Sequence, residues 1–156
     1  MNKLKYISVV CLTVILFPSL ICAWEGKVVS VTDGDTIKVL KDGKQVKIRL
    51  ASIDCPEMSG QPYGRAAKKF TARLVAGKIV KIWPTDTDRY GRTVAFVFVG
   101  DKNLNKELLS AGLAWHYKKY SRDPELVKLE FDARSNRRGL WAEPEPVPPW
   151  DWRRKN

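Results

Sequence analysis

The sequence is poor in the residues that build zinc sites and disulfides. Among 156 residues it has one histidine and three cysteines, and two of these, Cys11 and Cys22, lie in an N-terminal segment that we expect to be removed. Cys55 is then left alone, which excludes an internal disulfide. Cys55 and His116 together cannot supply the four ligands of a usual zinc site. A bound metal would therefore need oxygen ligands, which favours Ca²⁺ or Mg²⁺.

Acidic residues are also in short supply. The chain has 17 Asp and Glu against 28 Lys and Arg, a formal net charge of +11. An excess of this size indicates a polyanionic partner, either nucleic acid or an acidic membrane surface. The hydrophobic content of 44% is ordinary for a globular protein and excludes a disordered or fibrous chain. The length is that of a single domain.

The N-terminus has the pattern of a secretory signal peptide. Lys3 and Lys5 precede a mainly apolar stretch at 6–20, and the small residue Ala23 comes before the first charged position of the remaining chain. The stretch is shorter than the roughly 20 apolar residues of a transmembrane helix. We expect cleavage after Ala23 and export to the periplasm or the medium, with no membrane attachment afterwards. An uncleaved N-terminal anchor is the alternative.

Hydrophobic periodicity predicts strands first and helices later. In the clearest case, Val46, Ile48 and Leu50 alternate with polar or small residues, directly after an Asp-Gly hairpin turn at 42–43. Five strands are predicted, at 24–31, 36–40, 46–50, 79–83 (ended by Pro84) and 93–99. Three helices are predicted, at 63–76, 105–114 (with Gly112 as a weak spot) and 124–138.

This order of elements predicts an α+β fold. Five short strands, a helix after the third strand and further helices fit a small Greek-key barrel of the oligonucleotide-binding type with three packed helices. A different α+β arrangement stays open on periodicity alone. The predicted domain covers 24–142, and a tail rich in Pro and Trp at 143–156 is expected to be extended or packed against it.

Three short clusters of charged residues could carry chemistry. Each alone has a plain structural interpretation, as a hairpin turn, a solvated loop or a charged surface turn. Their order around the predicted strands is more specific than any one of them. The clusters are Asp33-Gly34-Asp35-Thr36, Arg49 with Asp54-Cys55-Pro56-Glu57, and Asp88-Arg89-Tyr90-Gly91-Arg92.

Taken together, these clusters resemble those of the staphylococcal nuclease (thermonuclease) family. The resemblance extends over about 26–141 and includes Gly112-Leu113-Ala114 and Gly139-Leu140-Trp141. It implies a calcium-dependent endonuclease that hydrolyses DNA and RNA with low sequence specificity and leaves 3′-phosphate ends.

The resemblance also implies which residues bind the metal ion. The calcium ligands would be Asp35, Asp54 and the backbone carbonyl of Cys55. A well-known member of the family has Thr where this chain has Cys55, and the departure is expected to be mild because the ligand is a backbone oxygen.

By the same resemblance the catalytic residues are Arg49, Glu57 and Arg92, and Tyr90 contacts substrate. Tyr117 or Tyr120 could stack on a base, and ordinary packing is the alternative for all three tyrosines. A guanidinium can bind the equatorial phosphate oxygens in bidentate fashion, and a second one can neutralise the leaving oxygen. A carboxylate can orient or deprotonate the attacking water.

Two other functions are compatible with the composition. The same barrel could bind nucleic acid or a protein without turnover, and a basic helix at 124–138 could bind acidic lipid. The presence of all the charged residues that the resemblance requires favours the nuclease. His116 is expected to be a packed surface residue without a catalytic role, and a monomer with no stable protein partner is expected.

Overall fold

The computed structural model describes residues 22–155. The predicted signal peptide therefore lies almost entirely outside the described residues, and it stays a prediction. No helix among residues 22–155 has both the length and the apolar composition needed to cross a membrane.

Five strand pairings, four antiparallel and one parallel, close a barrel. The strands of the described residues are β1 Trp24–Val31, β2 Thr36–Lys41, β3 Lys44–Leu50, β4 Ile53–Asp54, β5 Ile79–Thr87, β6 Thr93–Val99, β7 Lys102–Asn103 and β8 Trp115–His116. Strand β1 pairs with β2 and β5, β2 with β3, β5 with β6, and the parallel pairing of β3 with β6 completes the ring. This confirms the predicted α+β fold with an oligonucleotide-binding barrel.

The β2–β3 hairpin shows how the sequence builds this barrel. Asp42 and Gly43 both adopt positive φ, 49° and 76°, as a tight two-residue turn requires. The turn sets a register in which Ile37 faces Ile48, and both side chains are fully buried. The alternation that predicted the strands thus sends one face of the hairpin into the core.

Strand β5 is longer than the sequence predicted. Pro84 was expected to end it, but the strand continues to Thr87 across a register shift between Pro84 and Asp86. A bulge is one of the few places where a strand tolerates proline, because the missing N–H is not needed for the ladder there. The extension carries the chain directly into the predicted turn at 88–92.

The helices number four in the described part of the chain, one more than predicted, and a short 3₁₀ turn follows the third. They are α1 Gly64–Val75, α2 Leu104–Ser110, α3 Pro124–Ser135 and α4 Pro149–Lys155, with the 3₁₀ turn at Gly139–Ala142.

Two helices end earlier than predicted, for one physical reason. Gly112 is not a weak spot inside α2 but the left-handed residue that ends it, with φ 67°. Its N–H donates to the carbonyl of Leu109, and the N–H of Leu113 donates to that of Leu108, a Schellman motif. Helix α3 ends in the same way, with Arg137 in the left-handed position at φ 49°.

The C-terminal tail contains the fourth helix, which the sequence analysis missed. Within α4, Trp150 stacks face to face on Tyr117, with ring centroids 5.0 Å apart and planes 7° apart. Trp150 also meets the edge of Trp115 at 5.7 Å. Ahead of the helix, the carbonyl of Val147 accepts a hydrogen bond from the side chain of Gln61. The tail is therefore packed, as one of the two expectations had it, but its last part is helical.

Candidate active site

The turn between β1 and β2 is held from beneath by α1. The hydroxyl of Thr71 donates to the carbonyl of Gly34 at 2.6 Å. A Cβ on Gly34 would lie within 3 Å of the side chains of Cys55 and Ala67, so only glycine fits between them. The next residue, Asp35, is thereby fixed with its backbone N–H donating to the carboxylate of Asp33. Gly34 thus serves close packing at the site.

A second loop brings its residues against this turn. Asp54 lies on β4, which pairs with β8 so that Asp54 faces Trp115. The following N–H, that of Cys55, donates to the Asp35 carboxylate at 2.6 Å. The loop carrying Asp54 and Cys55 and the turn carrying Asp35 are therefore in direct contact, which brings the three predicted metal-binding residues together.

Arg49 joins the two aspartates. It lies on β3, opposite Thr36 of β2 and Val94 of β6. Its Nη1 lies 3.1 Å from Oδ2 of Asp35, and its Nη2 lies 2.8 Å from Oδ1 of Asp54. One guanidinium thus bridges two buried carboxylates, and this trio is the centre of the site.

Burial shifts the proton equilibria of this trio. Burial raises the pKa of Asp35 to about 6, although Arg49 acts in the opposite direction. Burial also raises the pKa of Asp54, again against its arginine partners. Burial by itself would lower the pKa of Arg49, but the neighbouring Asp35 and Asp54 outweigh it and the pKa is raised. Arg49 therefore stays charged.

Glu57 is positioned by the start of α1. Its backbone N–H donates to Oε1 of Gln61 at 2.8 Å. Its carbonyl lies against Gly64, where a Cβ would come within 2.1 Å of the oxygen. These two contacts fix the backbone of Glu57 in the loop that follows Asp54. The predicted catalytic carboxylate therefore shares a loop with the predicted metal ligand.

Arg153 of α4 enters the site from the tail. Its Nη1 lies 2.5 Å from Oε1 of Glu57, and its Nη2 lies 2.7 Å from Oδ2 of Asp54. These acidic partners raise the pKa of Arg153, despite the opposing effect of burial. Neither Arg153 nor Gln61 was among the site residues predicted from the sequence. The one usable signal was Pro149, a first-turn proline ahead of Trp150, Trp152 and basic residues.

Arg92 lies apart from the carboxylates. Its Nε is 2.6 Å from Oδ2 of Asp88, and Oδ1 of the same carboxylate accepts the backbone N–H groups of Tyr90 and Arg92. Burial acts to raise the pKa of Asp88, but the hydrogen bonds from Arg92 and Tyr90 together outweigh it and the pKa is lowered. Within residues 22–155, no hydrogen bond or ion pair joins Arg92 to Asp35, Asp54 or Glu57.

The two predicted substrate tyrosines differ in their surroundings. Tyr90 is 68% exposed, and its ring lies beside the guanidinium groups of Arg89 and Arg92. Tyr117 follows β8 and is covered on one face by Trp150. The structure thus places Tyr117 at the end of the element that pairs with Asp54, and Tyr90 on the separate turn of Arg92.

His116 is packed, and more deeply than expected for a surface residue. Its side chain is 1% exposed, and neither ring nitrogen has a hydrogen-bond partner among the described residues. Burial lowers its pKa, against the opposing charge of Glu130.

The donors suit a hard divalent cation. Within residues 22–155 there is no cluster of three or more acidic, His or Cys side chains with metal-binding geometry. The predicted ligand set uses two carboxylates and a backbone carbonyl, and the two carboxylates are close enough for two nitrogens of one guanidinium to contact both. Oxygen ligands of this kind are those that Ca²⁺ and Mg²⁺ prefer.

Comparison with known proteins shows which family this chain resembles. The family model described as "Staphylococcal nuclease homologue" matches residues 47–143. An "Uncharacterized endonuclease" of Escherichia coli O157:H7 is 45% identical over 152 residues, 97% of this chain and 98% of that protein. A "Micrococcal nuclease" of Shigella flexneri is 37% identical over 167 residues, 98% of this chain and 95% of that protein.

The chain belongs to the staphylococcal nuclease family. It is a nuclease, an enzyme that hydrolyses phosphodiester bonds, and the family resemblance seen in the sequence is confirmed.

Proposed function

We propose that this protein is an exported, calcium-dependent endonuclease that cuts DNA and RNA with low sequence specificity and leaves 3′-phosphate ends. The observation that supports the site is the bridge of Arg49 between Asp35 and Asp54, with Glu57 on the adjoining loop. The predicted signal sequence supports export.

In this proposal Asp35, Asp54 and the carbonyl of Cys55 hold the Ca²⁺ ion. When bound, the ion supplies positive charge against the phosphate oxygens. The side chain of Cys55 plays no part, because it is buried against Gly34 and burial raises the pKa of its thiol.

Arg49 binds and orients the scissile phosphate. Its guanidinium is preorganised by two carboxylates and offers its remaining N–H donors to the developing charge. Glu57 orients the attacking water and accepts its proton. Arg92 neutralises the leaving oxygen, and to do so it exchanges its ion pair with Asp88 for the substrate. The side chains of this ion pair are 24% and 20% exposed, so the substrate phosphate must replace a partly buried partner of Arg92.

Digestion of end-labelled single-stranded DNA by the purified protein tests the proposal. The reaction is run with Ca²⁺, with Mg²⁺ and with chelator, beside Glu57→Gln. Treating the products with a phosphatase identifies the end chemistry. We expect cleavage that requires Ca²⁺, falls about 10²-fold or more in the variant and leaves 3′-phosphates. Binding without cleavage would instead identify a nucleic-acid-binding module on the same fold.

A further inference from the structure

Helix α4 covers two parts of the site at the same time. Arg153 pairs with Asp54 and Glu57, the predicted metal ligand and the predicted catalytic carboxylate. Three residues earlier, Trp150 stacks on Tyr117, one of the two predicted substrate-contacting residues. A guanidinium on the carboxylates and an aromatic ring on the tyrosine are what a cation and a nucleobase would each supply there.

The carboxylate oxygens of the site are already engaged. Oδ1 of Asp54 accepts hydrogen bonds from Arg49 and Arg153, and Oδ2 accepts one from Arg153. Oδ2 of Asp35 accepts from the N–H of Cys55 and pairs with Arg49. A metal ion that uses Oδ2 of Asp54 must therefore displace Arg153, whereas Arg49 can stay on the other oxygens.

Other residues of the tail also contact the loop that carries Glu57, so the docking of α4 does not depend on Arg153 and Trp150 alone. Gln61 accepts the N–H of Glu57 and donates to the carbonyl of Val147, so one side chain ties the catalytic loop to the start of the tail. The ring of Trp152 lies beside Gly60 of the same loop. Yet the side chain of Arg153 is 43% exposed, so solvent screens its ion pairs and they can be broken.

We propose that α4 is an intramolecular competitor of the active site, in which Arg153 competes with the divalent cation for Asp54 and Trp150 competes with a nucleobase for Tyr117. The proposal rests on the function proposed above. By linkage, a ligand that binds the carboxylates or the tyrosine weakens the docking of α4. Release of α4 strengthens the binding of that ligand by the same factor.

The test uses the full chain and a matched pair of arginines on one helix. Arg153→Gln removes the charge that contacts the site, and Arg154→Gln removes the same charge one residue away. Arg154 is a suitable control because its ion pair is with Asp151 of its own helix and its side chain is 77% exposed. Trp150→Ala removes the stacking contact without any change of charge.

Two measurements are made on each variant: Ca²⁺ binding by titration calorimetry, and single-turnover cleavage of single-stranded DNA at subsaturating Ca²⁺. We expect Arg153→Gln to tighten Ca²⁺ binding about three- to tenfold, the effect of losing partly exposed ion pairs, and to speed cleavage. Trp150→Ala is expected to lower the KM for DNA and to shift Ca²⁺ binding in the same direction. Arg154→Gln is expected to match the wild type.

Three results would overturn the proposal. Slower cleavage by Arg153→Gln with unchanged Ca²⁺ affinity would make Arg153 a third arginine of the reaction. Equal shifts in both arginine variants would reduce the effect to net charge. No change in any variant would leave α4 as packing alone.

The two proposals fail separately. If no variant cuts DNA but Arg153→Gln binds Ca²⁺ more tightly than Arg154→Gln, the nuclease assignment fails and the competition stands. If the wild type cuts DNA with Ca²⁺ and the three tail variants behave as it does, the function stands and the competition fails.

Discussion

Gly112 and Gly139 touch backbone to backbone. A Cβ on Gly139 would lie 2.2 Å from the carbonyl oxygen of Gly112, and a Cβ on Gly112 would lie 2.1 Å from the carbonyl oxygen of Arg138. The N–H of Leu140 donates to the carbonyl of Gly112 at 2.8 Å. This contact joins the end of α2 to the turn after α3 and gives a physical reason for two glycines in the sequence motif.

Gly139→Ala is therefore expected to destabilise the protein by about 3 kcal/mol. The change adds an overpacking cost to the cost of a left-handed backbone at φ 52°. Gly100→Ala is the control, because Gly100 has a similar φ of 56° but open space around it. The control is expected to cost only about 1 kcal/mol. Urea unfolding measures both, and equal losses would mean that the backbone contact contributes nothing.

Gly64→Ala is expected to lower activity as well as stability. The added methyl group would press on the carbonyl of Glu57 and shift that carboxylate, while Asp35 and Arg49 keep their positions. A displacement of this kind can cost about 10²-fold in rate. Gly77→Ala, just beyond the other end of α1, meets nothing within 4 Å and is expected to keep full kcat. Steady-state kinetics on single-stranded DNA compare them, and similar kcat values would dissociate Glu57 from the reaction.

Arg49→Lys is expected to lower kcat by about 10²- to 10³-fold, although the charge is kept. A lysine ammonium cannot span Asp35 and Asp54 and bind a phosphate in bidentate fashion at the same time. Arg65→Lys, at an exposed position of α1, provides the same chemical change away from the site. Single-turnover cleavage rates separate the two. A loss in both variants would point to a general effect of arginine on nucleic-acid binding.

His116 is expected to make stability fall as the solution becomes acidic. Its pKa is lowered by burial, so below about 6.5, the ordinary value, the unfolded chain binds a proton that the folded chain resists. The stability is complete above that pH and is lost as the pH falls through the folded pKa. Asp35 acts in the opposite sense, because its pKa is raised and its contribution is lost as the pH rises through about 6.

Comparison of His116→Gln with the wild type isolates the histidine, since Asp35 is common to both. Urea unfolding at about pH 7 and pH 5 is expected to show a larger acid loss for the wild type than for the variant. Parallel losses in the two proteins would assign the acid sensitivity to other groups.

Local signals in the sequence were sufficient for most of the barrel. Period-two alternation and the Asp42-Gly43 pair place the β2–β3 hairpin, because both act within a few residues. The end of α2 was predicted wrongly because Gly112 was treated as a poor helix former when it ends the helix by its positive φ. The role of Pro84 in a bulge depends on the neighbouring strand β6, which the local pattern does not describe.

The tail was beyond the reach of such signals. Arg153 and Asp54 are 99 residues apart in sequence, and their ion pair depends on how α4 seats on the finished domain. The family resemblance pointed to four residues that the structure brings into one cluster: Asp35, Arg49, Asp54 and Glu57. The structure does not bring Arg92 there, because the carboxylate of Asp88, four residues away, holds that guanidinium on its own turn.

The strand that carries Arg49 is also the one that closes the barrel. Arg49 lies between Thr36 on β2 and Val94 on β6, and the pairing with β6 joins segments separated by α1 and β5. Such non-local pairings form late, since the loop between them must be closed first. The carboxylates of the site therefore reach their positions beside Arg49 only when the ring is complete. The hydrolytic site is complete only when the ring is closed, because closure fixes both neighbours of the strand that carries Arg49.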